Sequence, residues 1–142
     1  MIVIDYETHC SEHAKQTIDD ALIFACGELM PRVKKPFFVN VYPIYNLTET
    51  QGVNGDCLDE GDREFTIRID TSLPIKELIT TLVHEMVHIQ QYLSKRLFQK
   101  TGRIMRFEGV DYNTDMEYNE QPWEIEAHAL EKIMMERMPN EY

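Results

Sequence analysis

Residues 74–93 read PIKELITTLVHEMVHIQQYL. Apolar side chains recur at Ile75, Leu78, Ile79, Leu82, Val83, Met86 and Val87, the spacing of one face of an α-helix, and the pattern persists towards Leu97. Pro74 suits a first helical turn, Ser72 stands where a capping serine would, and Glu77 falls in the first turns. This is the strongest helix in the chain, and it carries His84-Glu85-Met86-Val87-His88. Residues four apart lie one turn above each other, so both imidazoles can reach one zinc ion. Glu85, rotated by about 100° from His84, stands beside the ion's open position. A shuffled chain of this composition, with five histidines, would hold the pattern with a probability of roughly 2%, so coincidence is a weak explanation. Leu82, Val83, Met86 and Val87 would anchor the helix in a core. Two unpaired histidines on a half-buried helix are costly unless something uses them.

A catalytic zinc usually takes three protein ligands and keeps one position for water. The third is expected from a later segment, and PWEIEAHALE at 122–131 supplies Glu124 and Glu126. On a helix these two point about 200° apart, so they cannot both be ligands, and the spacing alone leaves the choice open. His128 lies one turn from Glu124, on its face.

Around this pair of segments, residues 8–30 place Ala14, Ile18, Ala21, Leu22, Ala25 and Leu29 at helical spacing ahead of Pro31. PFFVNVYPIY at 36–45 and REFTIRID at 63–70 read as strands, the second by the alternation of Phe65, Ile67 and Ile69 with Thr66, Arg68 and Asp70. Between them QGVNGDCLDEGD, with three glycines and four acids, marks a loop with room for a short edge strand at Val53 to Leu58. RIMRFEGVDY predicts a hairpin turning at Glu108-Gly109, and Pro122 opens a last helix to about Met138. No internal repeat or domain boundary is visible, and 142 residues fit a single domain, 1–142.

The net charge of −11, from 14 basic and 25 acidic residues, repels phosphate backbones and anionic lipid, so neither nucleic acid nor membrane is an expected partner. The basic run Arg32 to Lys35 reads as a solvated turn. Cys10, Cys26 and Cys57 are widely spaced with no Cys-x-x-Cys pair, which predicts reduced thiols in a cytoplasmic protein. No signal peptide or membrane span is read in the chain. His9 and His13 also stand four apart but lack the acid beside the first histidine, and read as a surface pair. Trp123, Met134, Met135 and Met138 are assigned to packing.

With these residues in view, the chain resembles zinc-dependent peptidases of the zincin class, in the gluzincin branch whose third ligand is a downstream glutamate. In several such families that ligand is the first Glu of a Glu-x-x-Ala-Asp/Asn segment, which aligns with Glu124-Ile125-Glu126-Ala127-His128. The resemblance therefore implies zinc held by His84, His88 and Glu124, with Glu126 the reserve ligand. His128 departs from the usual Asp or Asn. In size and element order the chain looks like SprT-like and small phage-type metallopeptidases, with FEGVDY and PWEIEA echoing their downstream segments. Gln90 departs from the extended zincin signature, which prefers an apolar residue there. The Cys-rich zinc ribbon of many SprT proteins is absent, and the acidic surface disfavours action on DNA-bound proteins. The implied fold is α+β: an N-terminal helix, a small mainly antiparallel sheet, the motif helix and a C-terminal ligand-bearing helix.

The implied chemistry is hydrolysis of a peptide or protein substrate by zinc-activated water, with Glu85 as general base. Tyr112, Tyr118 and His128 are the candidate donors to the carbonyl oxygen. By the same resemblance, a peptide would pair with an edge strand near Val53 to Leu58 or within 64–70. Two other readings stand beside it. A non-catalytic zinc-binding module would keep the site without cutting, although a structural zinc needs no carboxylate at an open position. A di-iron helical bundle would need a second Glu-x-x-His, which the chain lacks. Oligomeric state is not legible.

Overall fold

In the computed structural model, which describes residues 1–139, the first element is a strand rather than a helix. β1 (Ile2–Tyr6) leads into α1 (Glu12–Leu29), whose N-cap Ser11 accepts a hydrogen bond from the Ala14 amide at 3.1 Å. β2 (Phe37–Ile44) then returns beside β1 in parallel, because a helical crossover lies between them. IVIDY went unread as a strand because periodicity over five residues separates poorly from an irregular N-terminus.

After β2 come a short helix, α2 (Leu47–Gln51), the hairpin β3 (Gly55–Gly61) and β4 (Glu64–Asp70), and α3 (Ile75–Leu93). β4 inserts between β2 and β3, parallel to the first and antiparallel to the second, giving the order β1-β2-β4-β3. A second sheet follows from β5 (Leu97–Gln99), β6 (Ile104–Phe107) and β7 (Val110–Asn113), all antiparallel. The last helix is α4 (Pro122–Arg137). The fold class is thus α+β, with one refinement: antiparallel pairing prevails over the two sheets together, while the larger sheet is mixed. The edge strand at β3 and the turn at Glu108-Gly109, both at positive φ, fall where the sequence places them.

One face of the larger sheet is covered. Phe37, Val39, Val41, Phe65, Ile67 and Ile69 alternate inwards along β2 and β4 against Ile18, Leu22 and Ala25 of α1 and Leu82, Val83 and Met86 of α3. Phe38, Tyr42, Thr66 and Arg68 face the other way and are partly or fully wet. A smaller cluster of Leu97, Met105, Phe107 and Trp123 lies under the second sheet and seats the first turn of α4.

Two expectations at the ends of α3 are corrected. Ser72 does not cap the helix: its amide and hydroxyl both donate to the Asp70 carboxylate, at 2.8 and 2.6 Å, and Pro74 takes the N-cap position without a side-chain bond. Nor does the helix run to Leu97. It stops at Leu93, Lys95 turns through the left-handed region, and Leu97 starts β5 in the smaller cluster. A continued apolar spacing hid the change of element. No helix among the described residues is long and apolar enough to cross a membrane, and Cys10, Cys26 and Cys57 are all free.

Gly55 brings the edge strand onto α3. A Cβ there would stand 2.7 Å from the Arg68 carbonyl oxygen and 2.9 Å from Thr81 Cγ2, so only glycine lets β3 lie this close one turn before His84.

Candidate metal centre

The polar face of α3 turns away from the sheet towards α4, and His84, Glu85, His88 and Gln91 are all buried in the seam. Two features of α4 make that approach possible. Trp123 is anchored among Phe107, Tyr112 and Leu97, fixing the helix start, and Ala127 is fully buried where a larger side chain would hold the helices apart.

Glu124 is the point of convergence. Its Oε1 lies 2.9 Å from His84 Nε2 and 3.1 Å from His88 Nε2, with the two rings 4.9 Å apart. Donor atoms around a tetrahedral zinc stand roughly 3.3 Å from each other, so these two contacts are close to two edges of such a site. His128 joins from the next turn of α4. One ligand atom from each of His84, Glu124 and His128 lies within 4.8 Å of the other two, a group that could hold a metal ion and that has His128 where the sequence led to an expectation of His88.

The far side of each α3 imidazole is also held. His84 Nδ1 is 2.7 Å from Glu131 Oε1, and His88 Nδ1 is 2.9 Å from Gln91 Oε1. Gln91 in turn donates to the Trp123 carbonyl at 3.0 Å and to Glu126 at 2.9 Å. Partners of this kind fix the ring orientation and the tautomer that presents Nε2 to a metal.

Electrostatics follow from three acids in one seam. Burial alone would lower the pKa of His84, but hydrogen bonds to Glu124 and Glu131 reverse this and push it up to about 10. His88 is raised in the same way, against its burial, by Glu124. Burial raises Glu124, yet the two histidines outweigh it and hold the carboxyl well below the usual range. The seam thus demands positive charge, which imidazole protons or a cation can supply. Glu85 is different: burial pushes it up to about 7, the neighbouring histidines pull against that, and no hydrogen bond to its carboxylate occurs among the described residues.

The remaining candidates separate clearly. Glu126 does not reach the cluster's centre; it pairs with Arg96, whose guanidinium also bonds Glu108 and lies over Phe107. Tyr118, from a single 3-10 turn at Tyr118–Glu120, donates to Glu124 Oε1 at 2.8 Å and sits 3.2 Å from His128 Nε2. Tyr112 packs against Trp123 at 5.9 Å between ring centroids and belongs to the smaller cluster, which removes it from the candidate donors. His9 lies in the loop before α1 and His13 in its first turn, and neither belongs to this cluster.

Glu131 and Gln91 were not singled out from the sequence. A signal existed, because Glu131 follows Glu124, and Gln91 follows His84, by seven residues, two helical turns on the same face. A cavity of about 1000 Å³ borders the centre at His128 and Glu131 and runs past Thr80, Lys76 and Met135. Comparisons with protein-family models, with curated proteins and with solved structures gave no significant match to this chain.

Proposed function

We propose that this chain is a zinc-dependent peptide-bond hydrolase of gluzincin type, with His84, His88 and Glu124 as the metal-holding residues. The observation that carries the reading is Glu85: a buried carboxyl, with no hydrogen bond from a protein side chain or amide among the described residues, adjacent in sequence to a histidine of the cluster. A site built only to hold a structural ion has no use for such a group and is normally closed by four Cys or His ligands.

Zinc bound there would lower the pKa of a water and polarise a substrate carbonyl. Glu85 would accept the proton of the attacking water and pass it to the leaving amine. The Tyr118 hydroxyl stands at the rim of the cluster, placed to donate to the carbonyl oxygen as charge builds on it. Gln91 and Glu131 would hold the two α3 imidazoles in register through their Nδ1 atoms.

The test is zinc content per chain in protein purified without chelator, measured for wild type, Glu124→Ala, Glu126→Ala and Glu85→Gln, together with cleavage of a peptide library. Expected are about one zinc in wild type, Glu126→Ala and Glu85→Gln, loss in Glu124→Ala, and a 10²- to 10⁴-fold fall in cleavage, roughly, in Glu85→Gln. A wild-type protein that takes up no metal after zinc addition would end the enzyme reading.

A further inference from the structure

We propose that His128 is a displaceable fourth ligand of this centre, so that the resting site is closed by the chain's own imidazole and opens when a substrate or water takes its place. This rests on the metal-binding reading above and adds the regulation of the same site.

Four donors come from two helices in matching fashion. α3 supplies His84 and His88, four residues apart, and α4 supplies Glu124 and His128, also four apart, so each helix presents one pair on one face. His128 belongs with His84 and Glu124 to the group whose ligand atoms lie within 4.8 Å of one another, while His88 reaches that group through Glu124 at 3.1 Å. His128 is aimed as well as near. Its Nδ1 lies 2.9 Å from Glu131 Oε1, the same oxygen that His84 Nδ1 approaches at 2.7 Å. The two nitrogens of an imidazole lie on opposite sides of the ring. With both rings anchored on one carboxylate and their centroids 4.6 Å apart, His84 Nε2 meets Glu124 at 2.9 Å and His128 Nε2 meets the Tyr118 hydroxyl beside it. The Tyr118 hydroxyl spans the remaining gap, 3.2 Å from His128 Nε2 and 2.8 Å from Glu124 Oε1.

Exposure assigns the moving part. The side chains of His84 and His88 are 8% and 9% exposed, locked in the seam, whereas His128 is 55% exposed and borders the open cavity. Its departure breaks its contacts with Glu131, Tyr118 and the His84 ring but opens no part of the apolar core. Because Glu131 serves both rings, it remains on His84 when His128 swings out, and the three other donors stay in place.

Cobalt(II) is a suitable probe, since its visible bands report the ligand set. Wild type, His128→Ala and His128→Gln would be titrated with cobalt against a chromophoric chelator and their spectra compared. Expected are a changed spectrum and a roughly 10- to 100-fold weaker affinity in both variants, and recovery of the wild-type spectrum when imidazole is added to His128→Ala. The proposal is overturned if both variants match wild type in spectrum and bind cobalt within twofold of it. Glu124→Ala separates the two levels of inference. Binding abolished by that change but indifferent to His128 sinks the fourth ligand alone; no cobalt uptake by wild type sinks the metal centre with it.

Discussion

One helix, α3, divides the molecule into two regions built on opposite rules. Its inner face, with Leu82, Val83 and Met86, joins the sheet in a core that is apolar throughout, where nothing but shape and water exclusion is asked of each side chain. Its other face meets α4 across His84, Glu85, His88, Gln91, Glu124 and Glu131, a seam that gathers polar groups beside the apolar Ala127, most of them tied to a neighbour. Burying such groups costs free energy unless each bond is made. The core therefore carries stability and the seam spends some of it, and the one carboxyl left unpaired there, Glu85, marks where chemistry is expected.

That division is open to attack from both sides. The largest effect should come from the core: Phe65→Ala removes a buried ring packed against Phe37 and Tyr92 and should cost about 3–5 kcal/mol in urea unfolding. Zinc bound per folded chain should stay unchanged, and a core variant that loses metal while still folded would show that the two regions are not separable. Next in size is Gln91→Leu, isosteric enough to fill the seam but unable to hold His88 Nδ1, Glu126 or the Trp123 carbonyl. It should lower metal affinity about 10- to 100-fold. Stability should drop by about 1–3 kcal/mol, from the acceptors and donors left without partners.

Asp70 sharpens the comparison from outside both regions. It is 1% exposed, and although burial raises its pKa, hydrogen bonds from Ser72 and Thr48 hold the carboxyl well below the usual range. A carboxyl depressed in the fold lends stability above its unfolded pKa of about 3.9 and loses it as pH falls below that value. Wild type should thus weaken through this acid range, while Asp70→Asn, less stable by about 1–2 kcal/mol at neutral pH, should show a flatter profile there. Equal slopes for the two proteins in acid unfolding would mean that Asp70 does not titrate in this way.

Most of the element list was readable, and its gaps share a cause. β4, α1 and α3 announce themselves because a repeated period survives over a long enough window, as in Phe65-Ile67-Ile69 or Leu78-Leu82-Met86. β1 and α2 span five residues each, too few for a period to stand out. Ser72 misled because a serine before a helix can serve either the helix or a nearer acid, and Asp70 won. Leu97 misled because its spacing continued a pattern that the chain itself did not, once Lys95 had turned.

The site divides along the same line. His84 and His88 face one way, with Glu85 beside them, by helix geometry alone, so five consecutive letters determine that part of the constellation. The sequence also determined that Glu124 and Glu126 diverge, without saying which would point inwards. That choice, together with the arrival of Tyr118, His128 and Glu131, depends on how α4 crosses α3. The crossing is set by Trp123 in the smaller cluster, the small Ala127 and the Arg96–Glu126 pair, contacts made between different elements rather than within one. Periodicity reports which face a side chain shares with its near neighbours. Which faces meet is decided by packing, and no local pattern encodes it.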